Sequence, residues 1–90
     1  MSLIDVPMHP GKVLKQIYLD PLGLDAIRFA QRLGVPRDQI EKLISGTAGI
    51  TLDTALRLAR VFSTTPAYWF NLQVNYDMAL AAQAIDVSDI

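Results

Sequence analysis

Two short neighbouring segments near the middle of the chain carry apolar residues at helical spacing. Their apolar positions are Ala26, Phe29, Ala30 and Leu33 in the first segment and Ile40, Leu43 and Ile44 in the second. Spacings of three and four residues place each set on one face of a helix. Between the segments lie Gly34, which can adopt a positive φ at low cost, and Pro36, which suits the first turn of a helix. The pattern therefore predicts a helix-turn-helix over residues 25–46.

Three more segments predict additional helices on either side of this unit. The stripe of the first helix, which begins at His9-Pro10-Gly11, consists of Val13, Leu14, Ile17 and Tyr18. The stripe of the fourth helix consists of Leu52, Ala55, Leu56, Ala59 and Phe62. The second, fourth and fifth helices are each preceded by a polar residue whose side chain can accept first-turn N–H groups: Asp25, Thr51 and Thr65. Together these segments predict an all-α, five-helix domain.

The fifth helix, predicted over residues 66–82, differs from the others because it is apolar on almost every side. A helix of this kind must be covered on more than one face, which a five-helix domain of this size cannot do alone. We therefore expect a homodimer interface on this helix, with Trp69, Phe70 and Tyr76 in the contact. The domain then spans residues 9–82. An irregular lead-in at 1–8 precedes it, and an acidic tail at 83–90, which we expect to be frayed, follows it.

Composition narrows the class of protein. Ninety residues suggest one domain, and a hydrophobic fraction of 51% with a mean hydropathy of +0.27 suggests apolar surface that faces a partner. No apolar run is long enough to predict a transmembrane helix, and no signal peptide is apparent. The absence of cysteine excludes disulfides and thiolate metal sites, so we expect a cytoplasmic protein.

Charge is unevenly distributed along the chain. Residues 12–60 hold all eight basic residues against five acidic ones, which gives this segment a formal charge of +3. Residues 61–90 hold three acidic residues and no basic one, which gives −3. The basic segment contains the predicted helix-turn-helix, so nucleic acid is a candidate partner despite the net charge of −1.

The third helix, predicted over residues 36–45, would be the recognition helix. At 100° per residue its outward face carries Arg37, Asp38, Glu41, Lys42 and Ser45, with Gln39 at the flank. In a major groove, Arg37 and Lys42 could bind guanine, Gln39 could bind adenine, and Asp38 could accept from cytosine. An ordinary solvated helix face is the alternative interpretation.

Enzyme chemistry finds no support in the sequence. His9 is the only histidine and has neither a nucleophile to activate nor a cluster of metal ligands around it. A glycine loop that could cradle a phosphate is also missing. We therefore expect no catalytic residue, metal, cofactor or small-molecule substrate.

Several short motifs give the chain a specific family resemblance. They are HPG at 9–11, LGL at 22–24, RLGVP at 32–36, ISG at 44–46, IT at 50–51, TALRLA at 54–59, TP at 65–66 and W-x-N-L-Q-x-x-Y-D at 69–77. With these motifs, residues 9–82 resemble the HigA (VapI-like) antitoxins of bacterial toxin-antitoxin modules, within the Xre/Cro (lambda-repressor-like) helix-turn-helix superfamily.

The resemblance implies a small all-α homodimer that binds a palindromic operator in double-stranded DNA and represses its own operon. It also implies a complex with a HigB-type toxin, an mRNA-cleaving ribonuclease of the RelE-like class, in the cytoplasm or on the nucleoid. The base-reading positions of the family fall on Arg37, Asp38 and Lys42, with Gln39 close by. Its DNA-backbone contacts fall on Asp25, Arg28 and Thr47.

Two alternatives stay open beside the repressor. Members of the family commonly carry Ser or Thr at the position of Asp25 and basic residues at the position of Thr47-Ala48, so this chain offers fewer phosphate contacts. The first alternative is therefore a toxin-neutralising module with weak affinity for DNA. The second is a free-standing Xre-family regulator with no toxin.

Overall fold

A computed structural model describes residues 7–85, and within them the chain forms five helices. Helix α1 covers residues 10–22 in three contiguous parts, Pro10–Val13, Leu14–Leu19 and Asp20–Leu22, of which the middle part is π-helical. The other helices are α2 (Ala26–Leu33), α3 (Arg37–Ser45), α4 (Leu52–Phe62) and α5 (Pro66–Ala84). The prediction of an all-α, five-helix domain is confirmed.

The predicted ends of the domain are only partly within the described residues. Pro7 and Met8 are not helical, whereas residues 1–6 of the predicted lead-in lie outside the described part. Helix α5 continues to Ala84, two residues beyond the predicted end at 82, because nothing in its sequence stops the helix there. Residues 86–90 of the predicted tail also lie outside the described residues.

The helix boundaries are set by local hydrogen bonds of the kind that the sequence indicates. Carboxylate or hydroxyl oxygens of Asp25, Thr51 and Thr65 accept the backbone N–H three residues later, at 2.8, 3.2 and 3.1 Å. At the other end of α2, Gly34 adopts a left-handed conformation with φ of 78°, and its N–H donates to the carbonyl of Ala30. The sharp turn between α2 and α3 therefore depends on a residue without Cβ.

The buried face of α1 differs from the predicted stripe. Leu14 is fully buried as expected, but Ile17 is 56% exposed and Leu19 is buried instead. A π-helical segment bonds each N–H to the carbonyl five residues earlier, which brings Leu14 and Leu19 to the same side. The predicted stripe assumed ordinary α-helical spacing and was wrong at Ile17, whereas Tyr18 packs against the core as predicted.

The buried face of α4 is also rotated from the prediction. Leu52 and Leu56 are 62% and 53% exposed, whereas Leu58 is fully buried and Thr54 nearly so. Ala55 and Ala59 are buried as predicted, and leucines flank them on both sides. Helix α5 packs mainly against α4, and its position selects the Leu58 side for the core.

Trp69 lies at the centre of the core rather than at an interface. It is fully buried, and its ring contacts Tyr18 and Phe62, with centroids 5.1 and 6.1 Å apart. Its indole N–H donates to the hydroxyl of Thr64 at 2.7 Å. The predicted dimer role of Trp69 is therefore wrong, because the fold of one protomer already encloses the side chain.

Polar residues of α5 hold the start of α1 and the loop that follows α3. The Oε1 atom of Gln73 accepts the N–H of Ile50 at 2.7 Å, and its amide nitrogen donates to Asp77 at 2.9 Å. The ring of His9 lies edge-on to Tyr76, with centroids 4.9 Å apart. The HPG and N-L-Q-x-x-Y-D motifs, which are distant in sequence, therefore meet in one cluster beside α3.

His9 gives this cluster a predictable response to pH. Its Nδ1 atom accepts the N–H of Gly11 at 2.9 Å, which requires the neutral imidazole. Burial lowers the pKa of His9 below its ordinary value of 6.5, and the nearby charge of Asp77 offsets only part of that effect. The unfolded chain therefore binds the proton more readily, and the folded protein loses stability as the pH falls below about 6.5.

We expect the melting temperature to decrease between pH 7.5 and pH 5.5, as measured by circular dichroism at fixed ionic strength. His9→Asn is the matched control, because asparagine can still cap the helix but does not titrate. The decrease should be smaller in that variant. An identical decrease in both proteins would contradict the role assigned to His9.

Candidate nucleic-acid interface

Helix α3 presents a polar face to solvent on the side opposite the core. Pro36 precedes the helix as its N-cap residue, so the helix begins at Arg37, one residue later than predicted. Ile40 and Leu43 are buried beneath it, which turns its charged residues outward. The side chains of Arg37, Asp38 and Lys42 are 62%, 71% and 64% exposed. The structure thus places three of the four predicted base-reading residues on one accessible face.

The charges on this face are paired within the helix. The Nε atom of Arg37 donates to Glu41, one turn later, and this bond raises the pKa of Arg37. The ammonium of Lys42 lies 3.8 Å from a carboxylate oxygen of Asp38. Two cations and two carboxylates give the face a formal charge of zero. This face therefore offers specific donors and acceptors rather than an excess of positive charge.

Gln39 does not share this outward face. It is half-buried, and its amide nitrogen donates to the hydroxyl of Thr54 on α4 at 3.1 Å. The same hydroxyl lies 3.0 Å from that of Thr51. The bond to Thr54 directs the side chain of Gln39 toward the start of α4, at the flank of the outward face, and the base contact of Gln39 stays a prediction.

The three residues expected to contact the DNA backbone are exposed, but two of them are already engaged. The carboxylate of Asp25 caps α2 by accepting the N–H of Arg28, so it occupies a helix N-terminus where a phosphate could bind. The hydroxyl of Thr47 donates to the carbonyl of Lys42 at 3.2 Å, at the end of α3. Arg28 is exposed at the first turn of α2.

Arg57 supports the turn of the helix-turn-helix, a role that the sequence analysis missed. Its Nη1 atom donates to the carbonyl of Leu33 at 2.9 Å, at the carboxyl end of α2. Its Nε atom donates to Asp53 at 2.9 Å, one turn earlier on α4. The spacing of Asp53 and Arg57 suggests their ion pair, but nothing local in the sequence indicates the contact with Leu33.

The described residues offer little for other kinds of chemistry. Between residues 7 and 85, no group of histidine, cysteine and acidic side chains is arranged to hold a metal ion. None of the helices in that range has both the length and the apolar character needed to cross a bilayer.

Comparison with known proteins agrees with this geometry. A family model described as helix-turn-helix, HTH_3, matches residues 14–69. Virulence-associated protein I of Dichelobacter nodosus is 42% identical over 76 residues, which cover 84% of this chain and 70% of that protein.

Two solved structures are similar to this protein over most of their length. An addiction-module antidote protein of the HigA family from Coxiella burnetii has a TM-score of 0.84 and 38% identity, covering 89% of this chain and 87% of that one. The Pseudomonas aeruginosa antitoxin HigA, solved with the higBA promoter, also has a TM-score of 0.84, with 33% identity over 87% of this chain and 85% of that one. The chain therefore belongs to the HTH_3 (Xre-type) helix-turn-helix family, in the group that includes VapI-like proteins and HigA antitoxins.

Proposed function

We propose that this protein is an antitoxin and a transcriptional repressor of its own operon, with α3 as the recognition helix. The observation that carries the proposal is the exposed face of Arg37, Asp38 and Lys42, in a fold whose relative was solved with promoter DNA. Such a protein acts by binding and needs no catalytic residue. Its place of action is the cytoplasm, where it meets operator DNA.

The operator is expected to be an inverted repeat that is read by a homodimer. Exposed apolar residues on α5 support the dimer, because Val74, Met78 and Leu80 are 41%, 64% and 42% exposed. Phe70 and Tyr76 are half-buried beside them and remain our candidates for the dimer contact. A two-fold axis would place the recognition helices of the two protomers about 34 Å apart, in successive major grooves.

The partner protein is expected to be a HigB-type ribonuclease toxin of the RelE-like class. Membership in the group that includes HigA antitoxins supports this partner. The toxin and the DNA would then both bind to one small domain of this 90-residue chain, so each would affect the binding of the other. Co-purification with the product of the adjacent gene would separate an antitoxin from a free-standing Xre-type regulator.

A toxin-neutralising module with weak affinity for DNA is the second candidate function. The observation that favours it is the pairing of both recognition-helix cations with carboxylates, Arg37 with Glu41 and Lys42 with Asp38. A face with zero formal charge gains little from general attraction to phosphates. In that case the DNA affinity would appear only when the toxin is bound.

The repressor can be tested by fluorescence anisotropy on a duplex taken from just upstream of the gene, with a shuffled duplex as reference. We expect Arg37→Ala to weaken operator binding by roughly tenfold or more, since a bidentate arginine–guanine pair contributes about 1–3 kcal/mol. Lys42→Ala should also weaken it. Arg60→Ala, which removes the same charge from an exposed position on α4, is the matched control and should have a smaller effect.

Salt dependence provides a second readout of the same titration. The logarithm of the affinity should fall linearly with the logarithm of salt concentration, with a slope set by the number of phosphates contacted. Equal affinity for operator and shuffled duplexes would overturn the autonomous repressor. The titration would then be repeated with the toxin present, as the second candidate function requires.

A further inference from the structure

We propose that Glu41 is a positioning residue that orients Arg37 for base reading, so that the two side chains act as one unit. The proposal rests on the proposed function, since it concerns how α3 selects its operator. Neither the motif comparison nor the charge pattern singles out Glu41. Its assignment comes from the atom of Arg37 that its carboxylate contacts.

The bond to Glu41 leaves the base-reading edge of Arg37 free. Glu41 accepts from Nε of Arg37, which is one of the five N–H donors of the guanidinium. The remaining four belong to Nη1 and Nη2, at the outer edge of the planar group. Two of them can donate in parallel to O6 and N7 of guanine, the commonest specific contact in the major groove. Holding Arg37 by Nε is therefore compatible with reading a guanine.

The same bond reduces the conformational entropy that the side chain of Arg37 would lose when DNA binds. The side chain of Arg37 is 62% exposed and has several rotatable bonds, so without a partner it would sample many conformations. Glu41 lies one helical turn later on the same face, at 45% exposure, and its bond to Nε narrows the range of orientations of the guanidinium in the free protein. A side chain that is ordered before binding loses less entropy on binding. Glu41 thus adds specificity even though its charge repels phosphates.

The second pair on this face provides an internal contrast. The ammonium of Lys42 lies 3.8 Å from Asp38, which is beyond hydrogen-bond distance. A lysine ammonium is also a rotating point charge without a planar donor edge. Asp38 should therefore lower the general attraction of the helix to DNA without orienting Lys42. The two carboxylates carry the same charge but are predicted to have different effects on specificity.

The experiment compares two substitutions that each remove one negative charge: Glu41→Ala and Asp20→Ala. Asp20 is the control away from α3, because it forms an exposed ion pair with Lys15 on α1 at 3.0 Å. Affinity is measured by anisotropy for the operator duplex and for a shuffled duplex at several salt concentrations. The ratio of the two affinities is the readout, since a change in charge alone moves both affinities together. Circular dichroism confirms that each variant is folded.

We expect Glu41→Ala to lower the ratio by roughly two- to threefold, in keeping with the small free energy of an exposed i,i+4 ion pair and less than the loss expected for Arg37→Ala. Asp20→Ala, which removes the same charge outside the proposed DNA-binding face, should leave the ratio nearly unchanged. Glu41→Gln should recover part of the ratio, because its amide oxygen still accepts from Nε without carrying charge. In an Arg37→Ala background, Glu41→Ala should have no further effect on the ratio.

Two results would overturn the assignment of Glu41. The first is an operator preference that Glu41→Ala leaves intact, and the second is additivity of the Glu41 and Arg37 substitutions in the double mutant. Either result would leave the proposed repressor standing. A wild-type protein with no operator preference, and no response to Arg37→Ala, would instead overturn the repressor and the assignment together.

Discussion

Replacement of Trp69 by alanine is expected to lower the free energy of unfolding of the protomer by about 3–5 kcal/mol. The side chain is fully buried, and its removal would leave a cavity between Tyr18 and Phe62. It would also leave the hydroxyl of Thr64 without its donor. A domain of this size has roughly 5–15 kcal/mol of stability in total, so this single change removes a large part of it.

Urea titration followed by far-ultraviolet circular dichroism measures this loss. Trp69→Phe keeps an aromatic ring but not the N–H donor. Its free energy of unfolding should therefore lie between those of the wild type and Trp69→Ala. Tyr76→Ala is the contrasting variant, because Tyr76 is half-buried on α5 and remains a candidate for the dimer contact. Tyr76→Ala should shift the equilibrium from dimer toward monomer, as measured by light scattering, and should lower the midpoint of the urea titration only slightly. A Trp69→Ala protein that is monomeric but as stable as wild type would return Trp69 to the interface.

The helix-turn-helix itself could be predicted from sequence because its determinants are local. Asp25 caps α2 through a bond to a residue three positions later, and Gly34 ends it in a left-handed conformation. Helical spacing likewise placed Ile40 and Leu43 in the core and left Arg37 outside. Each of these features depends on neighbours within one or two turns, so the order of residues is sufficient to find it.

The errors arose where the environment of a helix, rather than its own pattern, decides which side is buried. Helix α4 has leucines on both sides of its alanine pair, and either Leu56 or Leu58 satisfies helical spacing. Packing of α5 against α4 selected Leu58. In α1, π-helical bonding shifted the register and buried Leu19 in place of Ile17. Neither choice can be made from periodicity alone.

In the candidate site too, the features set by nearby residues could be predicted from the sequence, whereas those set by distant residues could not. The outward orientation of Arg37 and Lys42 follows from their position on the helix, and their ion pairs follow from partners four residues away. The bond of Gln39 to Thr54 was not predicted, because Thr54 is fifteen positions away on another helix. Arg57 was missed for the same reason, since it contacts the carbonyl of Leu33. Long-range hydrogen bonds therefore limit what the sequence reveals about this site.

Replacement of Gly11 by alanine, which adds only one methyl group, is expected to cause a large loss in the free energy of unfolding. A Cβ atom at Gly11 would lie 1.6 Å from the carbonyl oxygen of Leu43 and 2.5 Å from its carbonyl carbon. Both are backbone atoms of α3, so no side-chain rotation can relieve the contact. Helix α1 would have to move away from the recognition helix. We therefore expect Gly11→Ala to lower the free energy of unfolding by at least about 3 kcal/mol, the upper end of the usual range for overpacking.

Gly23→Ala is the matched control, because it adds the same methyl group to the same helix region without a steric contact. No atom lies within 4 Å of a Cβ at Gly23, whose φ of 67° costs an alanine about 1–2 kcal/mol by conformation alone. Urea titrations of the two variants separate close helix packing from backbone strain. Equal losses would show that α1 accommodates the methyl group at no greater cost than the backbone strain at Gly23, whereas a much larger loss for Gly11→Ala would establish that the HPG glycine is needed for the contact between α1 and the recognition helix.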